Sequence, residues 1–168
     1  MQPLSSERGT TLIETMVAAA ILLVVLSGLL SMAGLATNYT ENHGHLEART
    51  AEYAQDKMEQ LLALAYTDST SDTANDITVD TGGTGLAVGG SSDPAAPVDG
   101  YTDWLSDEGE MLGGGATPID GWFYERVWQI SSPSANMKQI TVTATVKASV
   151  GGALKAKSTV VALKTSEF

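Results

Sequence analysis

Residues 9–36 read GTTLIETMVAAAILLVVLSGLLSMAGLA, and this stretch decides the organisation of the whole chain. No charged residue occurs between Thr15 and Thr40. About 20 apolar residues in a helix cross the ~30 Å hydrocarbon core of a bilayer, so the stretch predicts a membrane-spanning helix. A cleaved secretory signal, ending at Ala36, is the alternative. The apolar run is longer than the roughly 7–15 residues of a signal core, which favours the membrane span.

The composition of the chain limits the classes of function to consider. Its 168 residues suffice for one ordinary domain. Nine Lys and Arg against 20 Asp and Glu give a formal net charge of −11, which argues against binding of nucleic acid. The chain has no cysteine, so disulfides, thiolate zinc sites and Cys nucleophiles are excluded. With histidine only at positions 43 and 45, no nucleophile–base pair is evident, and we expect neither catalysis nor a cofactor.

The segment before the apolar run, Arg8-Gly9-Thr10-Thr11-Leu12-Ile13-Glu14, carries a more specific signal. It resembles the class III signal of type IV pilins and type II secretion pseudopilins, in which a short polar leader ends in Gly before a Phe-Thr-Leu-Ile-Glu-like segment. The resemblance implies that prepilin peptidase removes residues 1–9 by cleaving between Gly9 and Thr10. It also implies N-methylation of Thr10, which stands where the family usually has Phe.

Two compatible roles are open for Glu14. With Thr11 it has the spacing of a capping box, in which side chains satisfy the free N–H groups of a helix start. Alternatively, it serves assembly, since a carboxylate at the head of a lipid-facing run is costly and usually has a functional partner. The resemblance implies that this partner is the new Thr10 amine of a neighbouring subunit. We favour the assembly role.

The chain after the apolar run predicts an α+β fold. A helix from about Thr11 to Ala65 continues beyond the membrane span, because apolar residues recur at spacings of three and four. These residues are Ala51, Ala54, Met58, Leu61, Leu62 and Ala65. Residues 67–100 are rich in Ser, Thr, Asp and Gly and predict loops. Strand patterns follow at residues 101–105, 122–130, 140–148 and 154–165, with Trp122, Tyr124, Arg126, Trp128 and Ile130 on one face. We expect a pilin-like lollipop, with the second half of the helix covering a small antiparallel sheet.

The resemblance can be narrowed within the pilin-like family. The helix pattern Ala48-x-x-Ala51-x-x-Ala54-x-x-x-Met58-Glu59-x-Leu61 is similar to that of PilV-type minor pilins and I-type minor pseudopilins. The strand Met137-Lys138-Gln139-Ile140-Thr141-Val142 resembles the Lys-x-Ile-x-Val strand that precedes the last hairpin of PilV-like proteins. This implies a minor pilin of a bacterial type IV pilus, which enters the fibre through its N-terminal helix to initiate or modify it. A minor pseudopilin of a type II secretion system is the alternative. A single-span or secreted periplasmic binding module is the alternative from another class.

The same resemblance sets the expected organisation and partners. Residues 1–9 would be the leader, 10–36 the membrane and assembly helix, and 37–168 a periplasmic domain. The N-terminus would be cytoplasmic, as the positive-inside tendency also favours. The partners would be other pilin or pseudopilin subunits, prepilin peptidase and the inner membrane, and the final location a pilus or pseudopilus fibre.

Two sets of residues carry side chains that can bind metal ions. Glu41, His43, His45 and Glu47 would share a face only on a strand, and on a helix they split into two i,i+4 pairs. Asp68, Asp72, Asp76 and Asp80 recur every four residues in an oxygen-rich loop and are weak calcium candidates, since they lack the spacing of an EF-hand loop. We expect no metal at either set.

Charge is distributed unevenly along the chain. Between Met58 and Glu125 there are thirteen acidic residues and no Lys or Arg, whereas residues 126–168 hold six basic residues and one acidic residue. Acidic loops could balance a basic sheet edge within one chain. Equally, the two regions could be complementary between subunits and steer docking.

Overall fold

The computed structural model describes residues 11–148 and 155–166. They form helix α1 and six strands, whose bounds are α1 Leu12–Ala63, β1 Gly89–Gly90, β2 Thr102–Leu105, β3 Met111–Gly114, β4 Tyr124–Ser134, β5 Met137–Val146 and β6 Lys157–Thr165. All strand pairs are antiparallel, in the order β3-β2-β4-β5-β6, and β1 pairs with β4. The predicted α+β class is confirmed, while the lollipop stays a prediction. The chain divides into two compact units after Glu41.

In the first unit, the described residues 11–41 lie in helix apart from Thr11, and all of them are exposed. The part of the chain that the structure describes contains one helix that is long and apolar enough to cross a membrane, and it includes this segment. Five hydroxyl groups along the segment donate hydrogen bonds to carbonyl oxygens of their own helix, at 2.8–3.0 Å: Thr15, Ser27, Ser31, Thr37 and Thr40. These hydroxyls therefore need no water, which suits a helix in hydrocarbon.

In the second unit, the last part of α1 packs against the sheet through one face. Its buried side chains are Thr50, Tyr53, Ala54, Lys57, Met58 and Leu61. The predicted stripe is therefore confirmed for Ala54, Met58 and Leu61. It is wrong for Leu62, which lies about 100° around the helix from Leu61 and is exposed, and for Ala65, which lies beyond the helix end.

The two long central strands form the body of the sheet. Ile140, Val142, Ala144 and Val146 of β5 are all fully buried, as their alternation predicts. In β4 the predicted face is confirmed for Tyr124, Arg126, Trp128 and Ile130. The prediction is wrong for Trp122, because this residue precedes the strand. Its ring stacks edge-on against Trp104 of β2, with the ring centroids 4.8 Å apart. Val127 and Thr143 are also buried, so the face opposite α1 is covered in the middle of β4 and β5, whereas Val161 and Leu163 of β6 are exposed.

Cations from the sheet stabilise the C-terminal end of α1, which has no basic residue in its own last turn. Lys164 of β6 donates a hydrogen bond from Nζ to the Leu62 carbonyl oxygen at 2.6 Å. Lys138 of β5 donates to the carbonyl oxygens of Tyr66 and Leu86, both at 2.7 Å. Positive charge is favourable at this end of a helix because the last carbonyl groups are unpaired and carry partial negative charge.

Leu61 and Leu62 give a matched test of the packing. Leu61→Ala should lower the free energy of unfolding by about 2–5 kcal/mol, because it leaves a cavity in the core. Leu62→Ala, at a side chain that is 37% exposed, should have a smaller effect. Unfolding of the full chain in detergent can be followed by tryptophan fluorescence, since Trp104, Trp122 and Trp128 all lie in the second unit. Equal losses in the two variants would contradict this packing.

Candidate assembly site and the buried charges

Glu14 lies in the first turn of α1 and is exposed. The Thr11 carbonyl oxygen accepts hydrogen bonds from the backbone N–H groups of Glu14 and Thr15, at 3.0 and 3.2 Å. The Glu14 amide is therefore satisfied by the backbone, and the carboxylate stands near the positive end of the helix dipole. Such a carboxylate is available to a cation from outside the chain. Gly9 and Thr10 lie outside the described residues, so the cleavage site stays a prediction.

A second group of charged residues lies where α1 meets the sheet. The Asp103 carboxylate of β2 accepts hydrogen bonds from Arg126 Nε at 2.7 Å and Nη2 at 2.9 Å, and lies 2.7 Å from Lys57 Nζ of α1. The partially exposed carboxylate of Asp56 binds Arg126 Nη1 at 2.9 Å. Two cations thus face two carboxylates, and the group has no net charge.

The surroundings of Asp103 hold it in the ionised form. Burial by itself would raise the pKa of this carboxyl, but the Lys57 and Arg126 cations outweigh burial and lower it. Burial lowers the pKa of Lys57, and Asp103 opposes that change. Lys57 Nζ also donates to the Thr73 carbonyl oxygen and lies 4.4 Å from the centroid of the Trp128 ring. Each buried charge therefore has hydrogen-bond partners, without which its burial would be strongly unfavourable.

This network links the acidic middle region of the chain to its basic C-terminal region. Asp103 from the acidic region pairs with Arg126 from the basic region, so part of the balance is within the chain. No other acidic residue between Met58 and Glu125 forms an ion pair among the described residues. Complementarity between subunits stays a prediction for the exposed acidic residues.

The structure does not gather either set of candidate metal ligands. No group of three or more His, Asp and Glu residues that could hold a metal occurs in residues 11–148 and 155–166. His43 pairs with Glu47 one turn later, at 3.3 Å, as the helical spacing predicts. Asp68, Asp72 and Asp76 each accept hydrogen bonds from amides two or three residues later. The regular spacing of these residues therefore reflects successive turns, and Asp80 makes no such turn in the described loop.

Glu125 is an unusual buried acid on the other face of β4. It is 5% exposed, and its Oε1 has no hydrogen-bond partner within the described structure. Burial raises the pKa of this carboxyl to about 7; nearby Lys155 opposes the rise and Asp93 adds to it. The carboxylate thus changes its charge near neutral pH.

Sequence reasoning missed Lys57, Asp103 and Glu125 as buried charges. For Lys57 the signal was present, since it falls one turn after Tyr53 and between Ala54 and Leu61 on the buried face. The alternation of β4 predicts that Arg126 lies on the buried face, and a buried Arg requires an acidic partner. Nothing in the sequence singles out Asp103 among thirteen acidic residues, because only the pairing of β2 with β4 sets it opposite Arg126.

Comparison of the chain with protein-family models, with curated proteins and with solved structures finds no match.

Asp103 and Asp56 give a matched test of the network, because both carboxylates bind Arg126. Asp103→Asn should lower the free energy of unfolding by about 3–5 kcal/mol, since it leaves two buried cations without their shared anion. Asp56→Asn should cost less than about 1 kcal/mol, because the Asp56 side chain is 56% exposed to water. Denaturant unfolding of the full chain in detergent measures both. A loss for Asp103→Asn no larger than that for Asp56→Asn would contradict the assigned role.

Glu125 predicts a pH dependence of stability. Its pKa is about 7 in the folded chain against an ordinary 4.5, so the folded state binds this proton more tightly than the unfolded state does. The free energy of unfolding should therefore fall as pH rises from about 4.5 to 7, by about 1–3 kcal/mol, and Glu125→Gln should remove that fall. The two proteins differ only at position 125, so the difference between their pH profiles isolates Glu125. Parallel pH profiles would contradict the assignment.

Proposed function

We propose that this chain is a minor pilin subunit of a bacterial type IV pilus, built into the fibre through its N-terminal helix to initiate or modify it. One combined observation carries the proposal. The pilin-like segment from Arg8 to Glu14 leads directly into a helix whose apolar side chains are exposed on every side through residue 41. Such a helix needs an apolar environment that the described part of the chain does not provide.

Two environments meet this need in succession. Before assembly, the helix crosses the inner membrane, with the chain after it in the periplasm. After assembly, the same apolar surface packs against the helices of neighbouring subunits. The internal bonding of Ser27, Ser31, Thr37 and Thr40 supports both states, because neither lipid nor an apolar bundle has to hydrate these hydroxyls.

Glu14 supplies the specific contact of this mechanism. In the membrane its carboxylate lies near the cytoplasmic face, where water and the helix terminus reduce the cost of its charge. In the fibre the helix is surrounded by other helices, so the carboxylate needs a cation. Cleavage after Gly9 creates one in the Thr10 amine of a neighbouring subunit. Pairing of the two fixes the axial position of each new subunit.

The second unit suits a non-catalytic role, in which the fibre carries it on its surface. Its core is closed by its own helix segment, sheet and buried ion network, so it has no need of a partner to fold. Exposed acidic residues lie in its loops, among them Asp76, Asp107, Glu108 and Asp120. These loops form the part of the subunit that would meet other subunits or the medium.

Substitutions of Glu14 test the assembly mechanism. Glu14→Ala should leave expression, membrane insertion and the folding of the second unit unchanged, but sharply reduce incorporation into fibres. Glu14→Gln should fail nearly as badly, because it keeps the shape and hydrogen bonding of the side chain but not its charge. Glu41→Gln is the matched control, since Glu41 is also an exposed acid on α1, and it should assemble normally. Incorporation is measured by immunoblotting of sheared fibres.

The same assay separates the remaining possibilities. Normal incorporation of both Glu14 variants would contradict the charge pair. Incorporation of the wild-type chain only into the pseudopilus of a secretion system would replace the pilus assignment with that of a minor pseudopilin. Recovery of the wild-type chain only as a free periplasmic protein would contradict both and favour a binding module.

A further inference from the structure

A cavity of about 320 Å³ lies on the face of the sheet opposite α1, in the second unit. Arg126 points toward the helix, so its neighbour Glu125 points to the other side, as alternation along a strand requires. The charged and polar residues that line the cavity are Asp93, Trp122, Glu125, Thr145, Lys155 and Lys157. No role described above for this protein uses the cavity.

Glu125 and Thr145 form its polar floor. They lie directly opposite each other on β4 and β5, and both are buried. Glu125 Oε1 has no hydrogen-bond partner among the described residues. The Thr145 hydroxyl donates to the Ala156 carbonyl oxygen at 3.1 Å, so its own lone pairs can still accept a hydrogen bond. When Glu125 is ionised, the floor therefore lacks a hydrogen-bond donor, and a positively charged donor suits the carboxylate best.

The number and kind of acceptors indicate which cation fits. A calcium ion takes six to eight oxygen ligands, and no metal-holding group of acids occurs in the described residues. A planar guanidinium pairs best with both oxygens of a carboxylate, whereas a compact ammonium group can use one. The indole ring of Trp122 adds a surface that favours an ammonium group, as its contact with Lys147 Nζ, 5.2 Å from the ring centroid, illustrates.

The charges at the rim of the cavity restrict the chemistry of the part of the ligand that lies near them. Lys155 and Lys157 are exposed there and would repel a simple cation. A carboxylate on the same molecule removes that repulsion and can pair with either lysine. The cavity holds two acids and two lysines, Glu125 and Asp93 against Lys155 and Lys157, which is the charge pattern complementary to a zwitterion. Its volume lies at the lower end of the range for small-ligand sites.

We propose that this cavity binds a small zwitterion of the amino-acid type, with its ammonium group on Glu125 and Thr145 and its carboxylate on Lys155 or Lys157. The ligand satisfies the orphan oxygen of Glu125 and stabilises the ionised form of that carboxylate. Occupancy therefore rises with pH through the range in which Glu125 loses its proton. The proposal is independent of how the subunit assembles.

Glycine is the probe, added to the isotope-labelled full chain in detergent micelles. We expect saturable NMR shifts of the Glu125 carboxyl carbon and the Trp122 indole N–H, with the apparent pKa of Glu125 falling by about one unit, or a tenfold preference for the ionised form. Methylammonium and acetate carry the two halves of the ligand separately and should bind at least about tenfold more weakly. Glu125→Gln should abolish binding, whereas Glu108→Gln, at an exposed acid of another loop, should not change it.

Four results would overturn the proposal. The first is no saturable response to glycine, and the second is an equal response in Glu125→Gln. The third is a Glu125 pKa near 4.5 in the free protein that rises on Lys155→Gln, which would mean that Lys155 fills the cavity itself. Equal binding of methylammonium and glycine would also contradict the zwitterion.

Discussion

The way in which the helix meets the sheet depends on one buried carboxylate, that of Asp103, held between Arg126 and Lys57. Desolvation of such charges largely offsets their attraction, so their net contribution to stability is small. Separating them is very different, because each would then be a buried charge without a partner. Rotating α1 by one residue moves Lys57 about 100° away from Asp103. The network therefore specifies one register of helix on sheet, while Leu61, Trp128 and their neighbours supply most of the apolar burial.

The parts of this arrangement that depend on local pattern could be predicted from the sequence. The membrane-length helix follows from an uninterrupted apolar run, and strand β5 follows from the alternation of Ile140 to Val146. The loops predicted over residues 67–100 follow from their Asp, Ser and Gly content, and the prediction is wrong only for the two residues of β1, Gly89 and Gly90. The parts that depend on pairing distant segments could not be predicted. Asp103 meets Arg126 only because β2 pairs with β4, and Trp122 leaves the predicted face because β4 begins two residues later.

Glu14 and Glu125 show the same limit at the candidate sites. Glu14 could be singled out because a charge at the start of an apolar run is recognised from the order of residues alone. Glu125 could not, since the alternation of β4 puts it on the face opposite Tyr124, Arg126 and Trp128, which the pattern predicts to face water. Its burial results from the loop around Asp93 and from its register opposite Thr145, and both are tertiary features.

The two units differ in where polar groups and apolar surface lie, and this difference fits the proposed function. In the first unit, hydroxyl groups bond to their own helix and the apolar surface is left uncovered. In the second unit, apolar surface is covered and charges are buried with partners. Under the proposed function, lipid around residues 11–41 is exchanged for neighbouring helices without any change in the core around Leu61.

The most direct test of this account is the mass and N-terminal sequence of the protein isolated from its native membrane. Cleavage after Gly9 with a methylated Thr10 amine is the predicted result, since it creates the cation that Glu14 requires. A mature protein that begins at Thr37, after cleavage at Ala36, would lack both Glu14 and the membrane helix. That result would contradict assembly through the N-terminal helix.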